Sequence, residues 1–199
     1  MFELAEELEQ VKIGITAATK IAKAHFVEAD FYLAIDSLSE SAISKARLDL
    51  LLVSGASPAK KLSIKQVCDE HDCTAAFFDN ISNEHEPIWN VKTNLKAKLY
   101  SQEMPNNLDI ADVRLLTDAS EVLLAFNCHK TLFSYLQRSA IETVVGCIYL
   151  AHGNITVDDY TQVNRKIANM LAPSASFISS ILFDGVGECT AIVAIKKIQ

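Results

Sequence analysis

The sequence is short of glycine, proline and clustered positive charge. It holds six glycines and four prolines among 199 residues, and half of its residues are hydrophobic. So few chain-breaking residues exclude a disordered or low-complexity chain and predict a globular protein with a sizeable core. The 18 basic side chains are outnumbered by 25 acidic ones and are scattered along the chain, which argues against a nucleic-acid partner.

Long apolar runs and a regular cysteine pattern are also missing. No run approaches the roughly 18 to 20 residues that cross a bilayer, so no transmembrane segment is expected. The first ten residues carry acids where a secretion signal carries basic side chains. The five cysteines are irregularly spaced, which favours reduced thiols packed as small hydrophobic groups over a disulfide framework. We therefore expect a cytoplasmic protein.

The C-terminal half alternates between helical and strand-like patterns. Helices are predicted at 109–126, 130–145 and 156–171, and strands at 146–153, 174–184 and 188–198. The helix that begins at Thr156 is well delimited, because two acids occupy its first turn and Pro173 follows its end.

The N-terminal half follows nearly the same order. Helices are predicted at 4–24, 27–46 and 63–72, and strands at 47–55, 73–80 and 86–99. Glu3 and Glu6 stand where the second half has Asp109 and Asp112. We therefore predict an α+β fold made of two similar domains in tandem, residues 1–100 and 105–199, each a small sheet packed by helices. The polar connection 100–107 is the predicted boundary.

The segment "NNLDIADVR", residues 106–114, suggests a family. It resembles the synergy loop of the FtsZ/tubulin superfamily, whose bacterial form reads roughly Asn-x-Asp-Phe-Ala-Asp-Val. Five residues match this pattern, and Ile110 replaces its aromatic residue; the matches are Asn107, Asp109, Ala111, Asp112 and Val113.

The resemblance extends over residues 105–199. A strand ending at Gly153 precedes an acid-rich helix start at 157–160, and Phe183-Asp184-Gly185 precedes the final strand, as in the C-terminal domain of FtsZ. The N-terminal half resembles a degenerate second copy of that domain, which implies a duplication.

The glycine-dense phosphate loop of the superfamily is missing. The nearest segment, "GITAAT" at 14–19, has one glycine and cannot present a row of backbone amides to a phosphate. We therefore expect no nucleotide or other cofactor and no GTPase activity of the protein by itself.

The resemblance implies a role for the loop at 106–114. In the superfamily its carboxylates reach the nucleotide held by the next subunit and position the attacking water. A partner-binding surface formed by Asn107, Asp109, Asp112 and Arg114 is therefore expected, and no catalytic residue is assigned. The alternative is that Asp109 and Asp112 only cap a helix.

Three further features carry less weight. Cys68, His71 and Cys73 lie close together, but a structural zinc site needs a second ligand pair that the sequence does not show. His152 follows a strand without an identifiable nucleophile or acid, so it is interpreted as a loop histidine. Trp89 is expected in the core or at an interface.

These observations favour an FtsZ-like accessory protein that acts by protein–protein contact and caps or regulates FtsZ-type filaments. A self-assembling scaffold or small-ligand-binding module unrelated to FtsZ is the alternative. An enzyme acting on a small metabolite is a third reading, although no P-loop, dinucleotide fingerprint or Gly-x-Ser-x-Gly elbow is present.

Overall fold

The computed structural model describes residues 11–17, 31–82, 84–101, 107–139 and 143–196. The strands in these ranges are β1 (Ile13–Ala17), β2 (Phe31–Ala34), β3 (Leu50–Ser54), β4 (Thr74–Asp79), β5 (Val122–Phe126), β6 (Val144–His152), β7 (Ser176–Leu182) and β8 (Cys189–Ile195). The α-helices are α1 (Glu40–Ala46), α2 (Pro58–Glu70), α3 (His85–Ser101), α4 (Ile110–Ala119), α5 (His129–Arg138) and α6 (Val157–Ala168).

The eight strands form one sheet in the spatial order β2-β1-β3-β4-β5-β8-β6-β7. Strands β1 to β5 pair in parallel, β8 is antiparallel to both of its neighbours, and β7 is parallel to β6. The carboxyl ends of every strand except β8 therefore lie along one edge of the sheet, which we call the carboxyl edge, and their amino ends lie along the opposite amino edge.

Helices cover both faces of this sheet. Helices α3 and α4 pack on one face, where alternate strand residues such as Leu50 and Leu52 meet Val91 and Val113. On the other face, α1 and α2 cover the β3–β4 region and α5 and α6 cover the β6–β8 region. Since Leu51 and Val53 turn to that second face, β3 is apolar on both sides, as expected for a central parallel strand.

Several predicted elements are confirmed. Strand β3, helix α2 and strand β4 lie within the predicted stretches from 47 to 80 or extend them slightly, as do β6, α6, β7 and β8 from residue 144 onward. Thr156 caps the first turn of α6, as its position in the sequence predicted, and Ser57 caps α2, which begins five residues before the predicted start at 63.

Two predicted helices are wrong in the described residues. Strand β1 lies inside the predicted helix 4–24, and β2, a 3-10 turn and α1 replace the predicted helix 27–46. All five residues of β1 are buried. A strand that is buried on both sides has the same continuous apolar pattern as a buried helix, so the sequence does not distinguish the two. Residues 4–10, 18–24 and 27–30 and the Glu3–Glu6 pair lie outside the described residues.

The predicted strand 86–99 is also wrong, because this segment is helix α3. Its buried apolar residues Ile88, Val91, Leu95 and Leu99 recur at helical spacing. Buried polar residues between them, Asn94 among others, hid that spacing in the sequence. The predicted helices 109–126 and 130–145 end early, since β5 and β6 begin within them.

The tandem arrangement of two small sheets is not confirmed. Strands β4 and β5 pair across the predicted boundary, through Phe78 with Leu123 and Asp79 with Leu124, so the described strands form a single sheet. The division of the chain into residues 1–100 and 105–199 stays a prediction.

Helix α3 joins the two halves of the sheet through buried polar side chains. The Lys92 ammonium donates to the Thr16 carbonyl at 2.7 Å and to Ser54 Oγ at 2.8 Å, at the carboxyl ends of β1 and β3. The Asn94 amide nitrogen donates to the Val186 carbonyl and to Thr190 Oγ1, both at 2.8 Å, and its oxygen accepts from the Val186 amide. The same helix is therefore hydrogen-bonded to β1 and β3 in one half of the sheet and to β8 in the other.

Lys92 gives the fold a pH dependence. Burial lowers its pKa to about 7 from an ordinary value of 10.5. Between these two pH values the unfolded chain binds more protons than the folded one, so stability rises with pH. We predict that the free energy of unfolding of the wild type, minus that of Lys92→Met, rises from pH 7 to pH 10 with a slope of up to about 1.4 kcal/mol per pH unit.

Urea unfolding of both proteins across this pH range measures the difference. Taking the difference cancels the other titrating groups, including the buried cysteines, whose raised pKa values act in the opposite direction at high pH. A difference that stays flat, or that falls with pH, would contradict the assignment.

Candidate functional site

The loop before α4 is fixed by a reciprocal pair of hydrogen bonds. Asp109 is the N-cap of α4, and its Oδ1 accepts from the Asp112 amide at 3.0 Å. Asp112 Oδ2 accepts in return from the Asp109 amide at 3.1 Å. This is a capping box, which satisfies two amides that the first turn of a helix leaves unpaired.

Each carboxylate keeps one oxygen available. Asp109 uses only Oδ1 and Asp112 only Oδ2 in contacts with the described part of the chain. Asp109 is exposed and Asp112 half-buried, while Leu108 between Asn107 and Asp109 is buried and anchors the loop in the core. The capping role and an outward-facing role are therefore compatible in the same two side chains.

All four predicted site residues lie at the amino edge of the sheet. Asn107 and Arg114 are exposed, and Arg114 Nε donates to Thr74 Oγ1 at the start of β4 at 2.9 Å. The structure therefore places Asn107, Asp109, Asp112 and Arg114 on one stretch of surface. Their role in binding a partner stays a prediction.

A cavity of about 820 Å³ opens beside this loop. Its walls come from the starts of β1 and β3, the turn before β4 and the first turns of α4; they include Val11, Lys12, Arg47, Leu48, Asp49, His71, Asp72, Ile110 and Arg114. Arg47 and Asp72 adopt left-handed backbone conformations, with φ of 48° and 55°, the only non-glycine residues to do so in the described ranges. Strained backbone of this kind is concentrated at functional sites.

Three cationic residues line this cavity, of which Arg114 was a predicted site residue and Lys12 and Arg47 were not predicted. Lys12, Arg47 and Arg114 come from three distant segments and meet only because parallel pairing aligns the starts of β1, β3 and β4 at one edge. No local motif marks Lys12 or Arg47.

The carboxyl edge carries a different polar network. Glu188 Oε1 lies 2.7 Å from His129 Nδ1, and its Oε2 accepts from the His129 amide at 3.0 Å, so Glu188 caps α5 from the β7–β8 turn. His129 Nε2 lies 2.8 Å from the buried Tyr149 hydroxyl. The hydrogen bond from the His129 ring lowers the pKa of Glu188, whereas burial raises that of Tyr149.

His152 ends β6 and is tied into the same edge. Its ring lies 2.9 Å from the Gly187 carbonyl and 3.0 Å from Thr190 Oγ1, which also accepts from Asn94. Burial lowers the pKa of His152. These contacts connect the sheet edge to the β7–β8 turn and give His152 a structural role.

The cysteines, His71 and Trp89 that the sequence singled out form no further site in the described residues. Cys68 and Cys73 are buried and their thiols contact each other, while His71 is exposed. In the described ranges no group of three or more His, Cys, Asp or Glu side chains is arranged to hold a metal ion. Trp89 packs against the core on the α3 face. None of the described helices is both long and apolar enough to cross a membrane.

The fold is similar to that of a protein of known structure. It matches CetZ from Methanosaeta thermophila strain DSM 6194 with a TM-score of 0.51 and 8% identity, over 94% of this chain and 87% of that chain. The chain has the fold of CetZ. A mutant of FtsZ from M. jannaschii matches with a TM-score of 0.41 and 14% identity, over 80% of this chain and 60% of that chain. No family model and no curated protein matches the sequence.

What is shown is a likeness of fold to CetZ, and membership of the FtsZ/tubulin superfamily stays a prediction. At such low identity the likeness concerns architecture alone. It shows nothing about the activity, the partners or the site residues of this chain.

The capping box makes a quantitative prediction. We expect Asp109→Ala to lower the free energy of unfolding by about 0.5 to 2 kcal/mol, because it removes an N-cap acceptor. Asp112→Ala removes the returning bond, and the double variant should lose less than the sum, since both changes break one motif. Urea unfolding measures all three.

Asp118→Ala is the matched control, because Asp118 is an exposed acid in the last turn of the same helix. An acid at a helix C-terminus opposes the macrodipole, so its removal should leave stability unchanged or slightly higher. Equal losses for Asp109→Ala and Asp118→Ala would show that no capping box stabilises α4.

Proposed function

We propose that the protein is an FtsZ-like accessory protein that binds no nucleotide itself and acts by protein–protein contact on FtsZ-type filaments. The observation that carries the proposal is the pair of exposed Asp109 and half-buried Asp112, fixed by its capping box at the amino edge of a CetZ-like fold. A carboxylate pair held in one geometry is suited to act on a cation or a polarised water, because its orientation does not have to be ordered on binding.

The start of β1 supports the part of this proposal that concerns nucleotide. Gly14, the glycine of "GITAAT", lies inside β1, and a side chain there would collide with Leu48, Leu51 and Phe31. Close packing of the strand explains this glycine, so it is not free to form a phosphate-binding turn.

The partner surface follows from the position of the pair. Asp109 and Asp112 offer one carboxylate oxygen each, and exposed Asn107 adds an amide two residues before them. Such a group complements the nucleotide-bearing end of a GTPase subunit, where phosphates are neutralised by a divalent cation. Docking there would block the end of a filament to further subunits.

The test mixes the purified protein with an FtsZ-type GTPase of its source organism and GTP. We predict that an equimolar amount of the wild type lowers both light scattering by polymer and the GTPase rate about twofold or more, as a filament cap should. The variant Asp109→Asn/Asp112→Asn should lose most of this effect, because it removes both charges while asparagine still caps a helix.

Asp118→Asn, which removes a charge from the other end of α4, is the control and should act like the wild type. Absence of binding and of any change in scattering at equimolar concentration would contradict the proposal. So would an unchanged effect of the double asparagine variant.

The cavity favours a second candidate function, a ligand-binding module that does not contact FtsZ. Its volume lies in the range of small-molecule sites, and it combines apolar walls with several charged groups. Size-exclusion chromatography with light scattering addresses the related scaffold alternative: a closed homo-oligomer that is indifferent to FtsZ would favour it.

A further inference from the structure

We propose that the cavity at the amino edge binds a small organic oxyanion, a carboxylate or phosphate monoester with an apolar body. Its head group would be held by Arg47, Arg114 and Lys12, and its body would lie against Leu48, Val11 and Ile110. The proposal concerns the protein alone and does not depend on an FtsZ-type partner.

The first support is the convergence of cations without ionic partners. The protein as a whole carries a net charge of −7, yet Lys12, Arg47 and Arg114 line one cavity. The salt bridges between described residues lie elsewhere, at Lys65–Asp69 and at His129–Glu188. Three cations that have no carboxylate partner among the described residues create a local positive field that favours an anion.

The second support is the way two of these cations are positioned. Arg114 is tied by its Nε to Thr74 Oγ1, so one edge of its guanidinium is used and the remaining donors are left for other groups. Arg47 projects from a left-handed backbone turn that ends α1, a conformation that an arginine rarely adopts. A guanidinium fork fits the planar edge of a carboxylate or phosphate bidentately.

The two acids of the cavity limit the charge of the ligand. Asp49 Oδ2 accepts from the Lys12 amide at 2.8 Å, so this carboxylate is partly used by the backbone, and Asp72 lies on the rim. With three basic and two acidic side chains the lining has a small positive excess, which suits one oxyanionic head and disfavours a polyphosphate.

The apolar walls of the cavity indicate the chemistry of the ligand beyond its head group. Leu48 is buried, and Val11 and Ile110 are half-buried, so the part of the cavity beyond the cations is apolar. A volume of about 820 Å³ exceeds what a bare phosphate or acetate would fill. A ligand with an oxyanionic head and a hydrocarbon or aromatic body would contact both the cationic side chains and the apolar walls of the cavity.

The test uses three probes with the same chain and different heads: octanoate, octyl phosphate and octylammonium. Isothermal titration calorimetry at low ionic strength should show binding of octanoate or octyl phosphate in the range of about 1 mM or tighter, and binding of octylammonium about tenfold weaker or absent. Preference between the first two probes identifies the head group as carboxylate or phosphate.

Two substitutions locate the site. Arg47→Asn keeps a residue that tolerates the left-handed backbone, and Arg114→Gln keeps a donor for Thr74. Each should weaken binding of the preferred probe about tenfold, whereas Arg138→Gln, at the exposed end of α5, should change it less than about twofold. Circular dichroism and thermal melting without the probe establish that each variant is folded.

Three outcomes would overturn the proposal. They are no binding of either anionic probe by the wild type, equal binding of octylammonium, and unchanged binding by folded Arg47→Asn and Arg114→Gln variants. Since FtsZ is absent from this experiment, its failure would leave the accessory-protein proposal untouched, and the reverse also holds.

Discussion

The hydrogen bonds of Lys92 and Asn94 hold the two halves of this molecule in one arrangement. Direct pairing between the halves is short, with two registered residue pairs between β4 and β5. Helix α3 supplements it by reaching β1 and β3 with Lys92, and β8 and its preceding turn with Asn94. Residues two apart on a helix point to different sides, so one helix can serve both halves. Lys92 has no carboxylate partner among the described residues, so its two hydrogen bonds offset part of the cost of burying its amine.

The position of the candidate site follows from the direction of α3. The helix starts beyond the carboxyl end of β4, and its 17 residues span about 25 Å, which carries the chain back to the amino edge. The chain there forms the Asp109–Asp112 capping box beside the starts of β1, β3 and β4. Ligands of α/β sheets usually lie at the carboxyl edge. In the described part of this chain that edge is instead tied together by His129, Glu188 and Tyr149.

The sequence foretold the elements whose ends are marked by capping residues. Thr156 caps α6 as expected, and Asp109 was identified both as a cap and by its motif. Two of the errors, at β1 and α3, have a physical reason. Burial of every residue in β1, and buried polar residues in α3, removed the periodicity that distinguishes strands from helices. The cationic cavity could not be predicted, because its residues are brought together by the sheet.

We expect α3 to make the described chain one cooperative unit. Native-state hydrogen exchange, read by mass spectrometry on peptides from β3, α3 and β8, tests it most directly. The account predicts that all three segments exchange through the same opening, with free energies that agree within about 1 kcal/mol and match global unfolding. Exchange of the β3 peptides at a free energy well below that of the β8 peptides would show that the halves open independently, and would contradict it.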